Sequence, residues 1–374
     1  MKQDQINCKI CGRKCHVIKT HLEHFHPEMS IEEYTKRFPD APTMSSYAEE
    51  QIAKFLTERE SKHTGNFLHH VFGLDTDEGA YSTVGHRPIP ITVYDRSDEI
   101  ASQFIPEINK DYIYNVQELK YVLYGIESNI PTYVWGHKGT GKTELIEQIC
   151  ARTNRPLLRV QHTVNTEESQ IVGQWVVRGG EMEFELGPLP LAMINGWTYL
   201  ADEYDFAMPN VLSVYQAVLE GKPLMIKEAP IEKRIIKPHP NFRFVATGNT
   251  NGTGDETGLY QGTTVQNSAN YDRFGVVVHK KYLSKSAEIK ILVGNTDIKE
   301  SDATTLVDFA TMVRDGFSAG KFGDTISPRT LLFAARIGYA HGSVVTGLRL
   351  AFLNKLSSTD REAADELIAR LYGV

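Results

Sequence analysis

The pattern of apolar and polar positions changes at about residue 100. Beyond it, short apolar runs at 131–135, 157–161, 197–201, 242–247 and 275–279 alternate with stretches of helical spacing. Leu145, Ile146, Ile149 and Cys150 carry that spacing after the first run. Val211, Leu212, Val214, Tyr215, Val218 and Leu219 carry it after the third, and Gly221 supplies a stop. Short apolar strands separated by amphipathic helices predict an α/β fold whose five-stranded parallel sheet is covered on both faces. Two interruptions read as hairpins. One turns at Gly179-Gly180 within 175–185; the other joins 224–226 to 234–236 across a polar, proline-containing segment. Beyond Ser284 strand signals vanish, and helical patterns at 287–293, 304–313, 327–341 and 361–371 predict an all-helical end to the chain.

Upstream of residue 100 the chain reads differently. Residues 1–40 are rich in Cys and His and end in Phe38-Pro39-Asp40-Ala41-Pro42. Residues 41–99 are polar and glycine-rich and read as a linker or N-terminal extension, with a short helix near 48–56. The expected domains are therefore 1–40, 41–99, 100–283 and 284–374. Of the four cysteines, Cys8, Cys11 and Cys15 cluster while Cys150 sits alone in an apolar helix pattern. That usage suits metal ligation in a reducing compartment better than a disulfide framework. The polar N-terminus and the lack of a long apolar stretch point to a cytoplasmic chain with no membrane association. A net charge of −7 argues against a surface that coats nucleic acid.

The strongest chemical signal is Gly136-His137-Lys138-Gly139-Thr140-Gly141-Lys142-Thr143, which follows an apolar strand and opens a helix. Glycines let a loop curl and aim N–H groups at phosphate oxygens. Lys142 supplies charge to the β- and γ-phosphates, and the Thr143 hydroxyl is a magnesium ligand. The run at 197–201 ends in Asp202-Glu203, where Asp202 is expected to hold Mg²⁺ through water and Glu203 to act as general base. A further strand ends at Asn249, whose amide is placed to position the lytic water; the turn Asn249-Thr-Asn-Gly252 is the alternative reason for that residue.

Two arginines complete the candidate set. Arg273 precedes the last strand, far in sequence from the phosphate loop, and in a ring it would reach a neighbour's γ-phosphate as an arginine finger. Arg329 follows Ser327-Pro328, a sound helix start in its own right, which places it in a first helical turn from which it would contact ATP.

These residues have a family likeness. Asp202-Glu-Tyr-Asp205, Ala246-Thr-Gly-Asn-Thr250, Gly258-Leu-Tyr-Gln-Gly262, Asp272-Arg273, Ser327-Pro-Arg-Thr330 and Phe352-Leu-Asn-Lys355 together resemble CobS. CobS is the AAA+ subunit of aerobic cobaltochelatase, within the wider MoxR group. Val71-Phe-Gly-Leu-Asp75 extends the likeness upstream, so that it covers roughly 68–374. It implies an AAA+ P-loop NTPase core with a C-terminal α-helical lid. It also implies a Walker A motif at 136–143, Walker B at Asp202 and Glu203, sensor 1 at Asn249, an arginine finger at Arg273 and sensor 2 at Arg329. The hairpins look like the insertions of MoxR-type ATPases that face partners or the ring's centre. The implied partners are further copies of this chain in a ring, expected to be a hexamer, and a subunit carrying an integrin-like (VWA) domain.

The N-terminal module contains Cys8, Cys11, His21 and His26, a plausible Cys₂His₂ zinc set, with His24 and Cys15 as rival ligands. The nine-residue spacing between Cys11 and His21, with the following Ser30-Ile-Glu-Glu-Tyr34, resembles the Ros/MucR zinc finger. Fingers of that type bind DNA. Lys9, Arg13, Lys14 and Lys19 give a modest basic face, but Glu23, Glu28, Glu32 and Glu33 follow, so DNA binding and protein docking both stay open. The expected function is an ATP-hydrolysing ring motor of the CobS/MoxR type that remodels a partner, with ATP, Mg²⁺ and Zn²⁺ as cofactors. The alternatives are the ATPase subunit of a cobaltochelatase in cobalamin synthesis and an ATP-switched DNA-binding regulator.

Overall fold

The computed structural model describes residues 5–49, 65–83, 85–95, 99–255 and 258–373. The chain forms two compact units, Met1–Val93 and Tyr94–Val374. Of the helix predicted at 48–56, residues 48 and 49 belong to a helical stretch and the remainder lies outside the described residues.

In the first unit, β1 (Ile6–Asn7) pairs antiparallel with β2 (Lys14–Cys15). The chain then enters helix Ile18–Phe25. A second helix, Ile31–Arg37, starts at a capping box in which Ser30 and Glu33 satisfy each other's backbone N–H groups. Cys8, Ile18, Leu22 and Tyr34 form the small buried core. So few apolar side chains cannot offset the ordering entropy of the segment without a further tie. Within the stretch read as a linker, helix Leu68–Phe72 ends at Gly73 and buries Leu68 and Phe72. Phe67 and Pro90 are bridged in antiparallel fashion.

In the second unit, β3 (Thr132–Trp135), β4 (Leu157–Gln161), β7 (Thr198–Asp202), β10 (Arg243–Gly248) and β11 (Val276–His279) form one sheet in the order β11-β3-β10-β7-β4. Every pairing is parallel. Tyr133, Tyr199, Ala201, Phe244 and Ala246 join one buried cluster. Their alternating neighbours Val134, Leu200 and Val245 are fully buried as well. Since successive strand residues point to opposite faces, both faces are covered, which explains the near-continuous apolar runs. Helix Val116–Glu127, which the periodicity reading did not single out, packs against β3 and β11; Pro188–Asn195 packs against β4 and β7.

Two hairpins stand apart from the sheet: β5 (Gly173–Arg178) with β6 (Glu181–Leu186), and β8 (Leu224–Met225) with β9 (Ile235–Ile236). The first turns at Gly179 and Gly180, whose φ values of 60° and 91° are the left-handed ones a two-residue turn needs. The hairpin segments are joined by Trp175 Nε1 donating to the Glu228 carbonyl at 3.0 Å and Lys233 Nζ donating to the Phe184 carbonyl at 2.9 Å. The C-terminal region consists of helices Lys285–Asn295, Glu300–Ser318, Pro328–His341, Val344–Ala351 and Ser358–Tyr372 around a second apolar core.

Candidate functional site

The phosphate loop, residues 136–141, leaves the C-terminal end of β3 and enters helix Lys142–Arg152. Glycine is required at Gly139, where φ is 74° and a Cβ would stand 2.5 Å from the Ser327 Cβ. Gly141 caps the helix with φ 80°. The loop's amides and the helix N-terminus form a cradle for anionic oxygens. Lys142 Nζ points into that curl and donates to the carbonyls of Gly136 (2.7 Å) and His137 (3.2 Å) and to Asn249 Oδ1 (3.0 Å). Burial pulls its ammonium down to about 8, against the opposing pull of Asp205, Asp202 and Glu203. The loop is held from outside by Tyr260, whose hydroxyl accepts from Lys138 N at 2.9 Å and meets His137 Nδ1 at 3.0 Å.

Parallel register carries the carboxylates to the same end of the sheet. Thr143 Oγ1 donates to Asp202 Oδ1 at 2.8 Å, and Thr247 Oγ1 donates to the same oxygen. A hydroxyl and a carboxylate oxygen at this spacing are hard donors of the kind Mg²⁺ takes, so the residues fit that ion. Glu203 sits at φ 53°, a left-handed conformation that is strained for a non-glycine residue and recurs at functional sites. Its N–H donates to Thr247 Oγ1 at 3.2 Å, and its carboxylate accepts from Gln161 Nε2 at 2.9 Å. Asp205 is fully buried, and its Oδ2 accepts from Asn249 N and Thr250 N (both 2.8 Å) and from Thr250 Oγ1 (3.0 Å). That carboxylate fixes the backbone which presents the Asn249 amide.

Lys142, Thr143, Asp202, Glu203, Asn249 and Arg329 line one cavity of about 560 Å³. Arg329 reaches it from the first turn of helix Pro328–His341. Gly139 and Gly141 also border a neighbouring cavity of about 250 Å³, walled by Asn109, Tyr112, Ile113, Leu283 and Leu332. A slot with Tyr112, Ile113, Leu283 and Leu332 in its walls, next to a phosphate cradle, suits a nucleotide base. Sequence reasoning missed these residues, as it missed Arg159, Gln161 and the tie made by Asp205. Arg273 is not among the residues lining either cavity. Its guanidinium grips Glu220 through Nε (2.8 Å) and Nη2 (2.6 Å) and donates through Nη1 to the Ala269 carbonyl.

The cysteines form a second constellation. One ligand atom each from Cys8, Cys11, His21 and His26 lies within 4.8 Å of the others. Cys11 Sγ is 3.2 Å from His21 Nε2, and His26 Nε2 is buried without a hydrogen-bond partner. Burial lowers the His21 pKa, with His26 and Arg13 adding to the effect, so the ring favours its neutral, ligating form. Two thiolates and two imidazoles fit tetrahedral Zn²⁺. The rivals fall outside the set: Cys15 is not in it, and exposed His24 spends Nδ1 on the Thr20 carbonyl at 2.8 Å.

A five-stranded parallel sheet with a phosphate loop after one strand, an Asp-Glu pair after another and a helical domain behind defines an AAA+ ATPase. Comparison with known proteins agrees. Residues 131–274 match the AAA domain of the dynein-related subfamily, and 288–371 match the CbbQ/NirQ/NorQ C-terminal family. Aerobic cobaltochelatase subunit CobS of Sinorhizobium sp. is 32% identical over 315 residues, covering 81% of this chain and 89% of that protein. NorQ of Paracoccus denitrificans is 22% identical (66% of this chain, 88% of that protein), and the gas vesicle ATPase GvpN of Ancylobacter aquaticus 23% (58% and 63%). The chain belongs to the CobS family of AAA+ ATPases. It is an ATP-hydrolysing enzyme that works with ATP and magnesium. Among the described residues, no helix is long and apolar enough to cross a membrane.

Proposed function

We propose that this chain is the motor subunit of a homo-oligomeric ring, in which ATP turnover drives remodelling of a partner protein. Lys142 and the phosphate-loop amides bind the triphosphate, while Thr143 and Asp202 hold magnesium. Glu203 takes the proton of the attacking water, Asn249 orients that water, and Arg329 couples the helical lid to the γ-phosphate. The observation that carries the ring is the position of Arg273. Its charge is kept on Glu220, among residues that line neither cavity, which supports the reading that it serves a site completed by another copy. A finger supplied in trans is worth roughly 10³–10⁵ in rate.

Support for a partner comes from the hairpins. Val177, Met182, Met225, Ile231 and Ile235 are all exposed. Apolar side chains gathered on two linked hairpins suit contact with another protein. An integrin-like partner subunit is the expectation that the likeness to CobS supplies. Cys8, Cys11, His21 and His26 hold a structural zinc ion in the N-terminal module. The 32% identity to a cobaltochelatase subunit favours, as a second reading, service as the ATPase of a metal chelatase.

The ring is tested by mixing subunits. Arg273→Ala and Glu203→Gln proteins are each expected to be inactive, and mixtures are expected to recover ATPase activity where an intact Arg273 faces an intact Glu203. Mixed rings confirmed by mass spectrometry that stay inactive at every ratio would remove the trans geometry.

A further inference from the structure

Arg159 and Gln161 lie two positions apart on β4, so the pleat sends both side chains to the same face. Gln161 is in register with Asp202 of the neighbouring strand. From that face Gln161 reaches Glu203, while Arg159 reaches Asp202: Nε donates to Oδ2 at 2.8 Å and Nη2 stands 2.6 Å from the same oxygen. A third guanidinium nitrogen, Nη1, donates to Glu147 Oε1 at 3.3 Å. The carboxylate of Asp202 is thereby divided, with Oδ1 taken by Thr143 and Thr247 and Oδ2 by the arginine. Asp202 is nearly buried while the Arg159 side chain is 45% exposed, so the cation stands between the carboxylate and solvent.

We propose that Arg159 is a charge gate at Asp202 that keeps the nucleotide-free site from taking up free magnesium. The inference rests on the reading of Asp202 as the magnesium-facing carboxylate. Asp202, Glu203, Glu144 and Glu147 all line the same cavity. Without a covering cation, such a group is a hard-oxygen site that a free divalent ion would fill. The guanidinium places a like charge beside the carboxylate that would take that ion, and like charges so close repel even where solvent partly screens them. A triphosphate brings its own negative charges and tips the balance, so magnesium enters with the nucleotide. A guanidinium suits the task because its planar fork engages Asp202 and Glu147 together and stays charged.

The test uses Mn²⁺ as probe, read by electron paramagnetic resonance on the full chain with and without ATPγS. Without nucleotide, Arg159→Met is expected to bind Mn²⁺ at least about fivefold more tightly than wild type, because a repelling charge is gone. With ATPγS bound, the two proteins are expected to differ by less than about twofold, because the triphosphate then dominates the field. Arg159→Lys keeps the charge and is expected to stay near wild type. Arg159→Gln replaces the methionine variant if that protein does not fold. Asp202→Asn separates the two layers of the argument. If it loses Mn²⁺ with ATPγS bound while Arg159→Met binds Mn²⁺ as wild type does without nucleotide, the gate is wrong and Asp202 stands. If, with ATPγS bound, it binds Mn²⁺ as tightly as wild type does, the role of Asp202 falls and the gate with it.

Discussion

Gln161 and Glu203 meet across the ends of adjacent strands, amide nitrogen to carboxylate oxygen, at 2.9 Å. The bond holds the candidate base by an oxygen that it needs free to accept a water proton. Gln161→Ala is therefore expected to raise basal ATPase turnover about two- to fivefold, the release of one hydrogen bond of ordinary net strength. Glu203→Gln is expected to lower it by at least about 10², the usual worth of a general base, with ATP affinity retained. A coupled ATPase assay beside nucleotide-binding titrations checks both. If Gln161→Ala falls as far as Glu203→Gln, Gln161 positions the base and does not restrain it.

Lys142 gives the site a pH dependence. Burial pulls its ammonium down to about 8, so at neutral pH it is mostly charged and above that value it is increasingly neutral. The triphosphate favours the charged form, and binding takes up a proton wherever the free protein lacks one. ATP affinity is thus expected to fall as pH rises through 8, approaching about tenfold per pH unit well above it. Lys142→Arg, whose guanidinium stays charged, is expected to bind more weakly but with little change between pH 6.5 and 9.5. A fluorescent ATP analogue titrated across that range decides the matter, and a flat wild-type curve would refute the assignment.

How much of this was legible beforehand depends on whether a residue's role is local. The phosphate loop was legible because strand, glycines, lysine and helix are contiguous from Thr132 to Arg152. The five strands were legible because a sheet buried on both faces leaves continuous apolar runs. Gly179 and Gly180 marked the first hairpin by their turn chemistry. Arg159 and Gln161 were hidden inside such a run, since polar residues in a strand carry no sign of which neighbouring carboxylate they meet. Asn109, Tyr112 and Ile113 lie in an irregular segment with no period to read, and their wall of the cavity closes only against Leu283 and Leu332, far along the chain. Helix Val344–Ala351 escaped notice in a short stretch holding Gly347, whose close contact with the Ala334 carbonyl makes glycine a packing requirement there.

The cysteine constellation makes a separate prediction. Its four ligand atoms are already close, and a core of Cys8, Ile18, Leu22 and Tyr34 is too small to hold the segment alone. Protein purified without chelator is expected to carry one zinc ion per chain by elemental analysis. Cys8→Ser and His26→Ala are each expected to lose it and to expose the first unit to limited proteolysis. Cys15→Ser and His24→Ala are expected to keep it. Metal-free wild-type protein with a protease-resistant first unit would end the zinc assignment, and loss of metal from Cys15→Ser would redraw the ligand set.

Asp205 joins stability to catalysis. One buried oxygen accepts the N–H groups of Asn249 and Thr250 and the Thr250 hydroxyl, and so fixes the turn from which Asn249 faces Lys142. Asp205→Ala strands three donors in a dry environment, at about 3 kcal/mol or more given the usual penalty for unmade buried bonds. Asp205→Asn keeps a carbonyl that can accept, and it removes a charge that burial disfavours, since burial pushes this carboxyl above the usual carboxylate range. The alanine variant is expected to melt about 6 °C lower and the asparagine variant less than half as far, scaling as a unit of this size does. The alanine variant is expected to lose turnover beyond what folding explains, because Asn249 is no longer held square to the cavity, and the asparagine variant to keep more of it. Calorimetry and ATPase assays on folded protein check the two effects separately. An Asp205→Ala protein that melts with wild type would show that other contacts hold this turn.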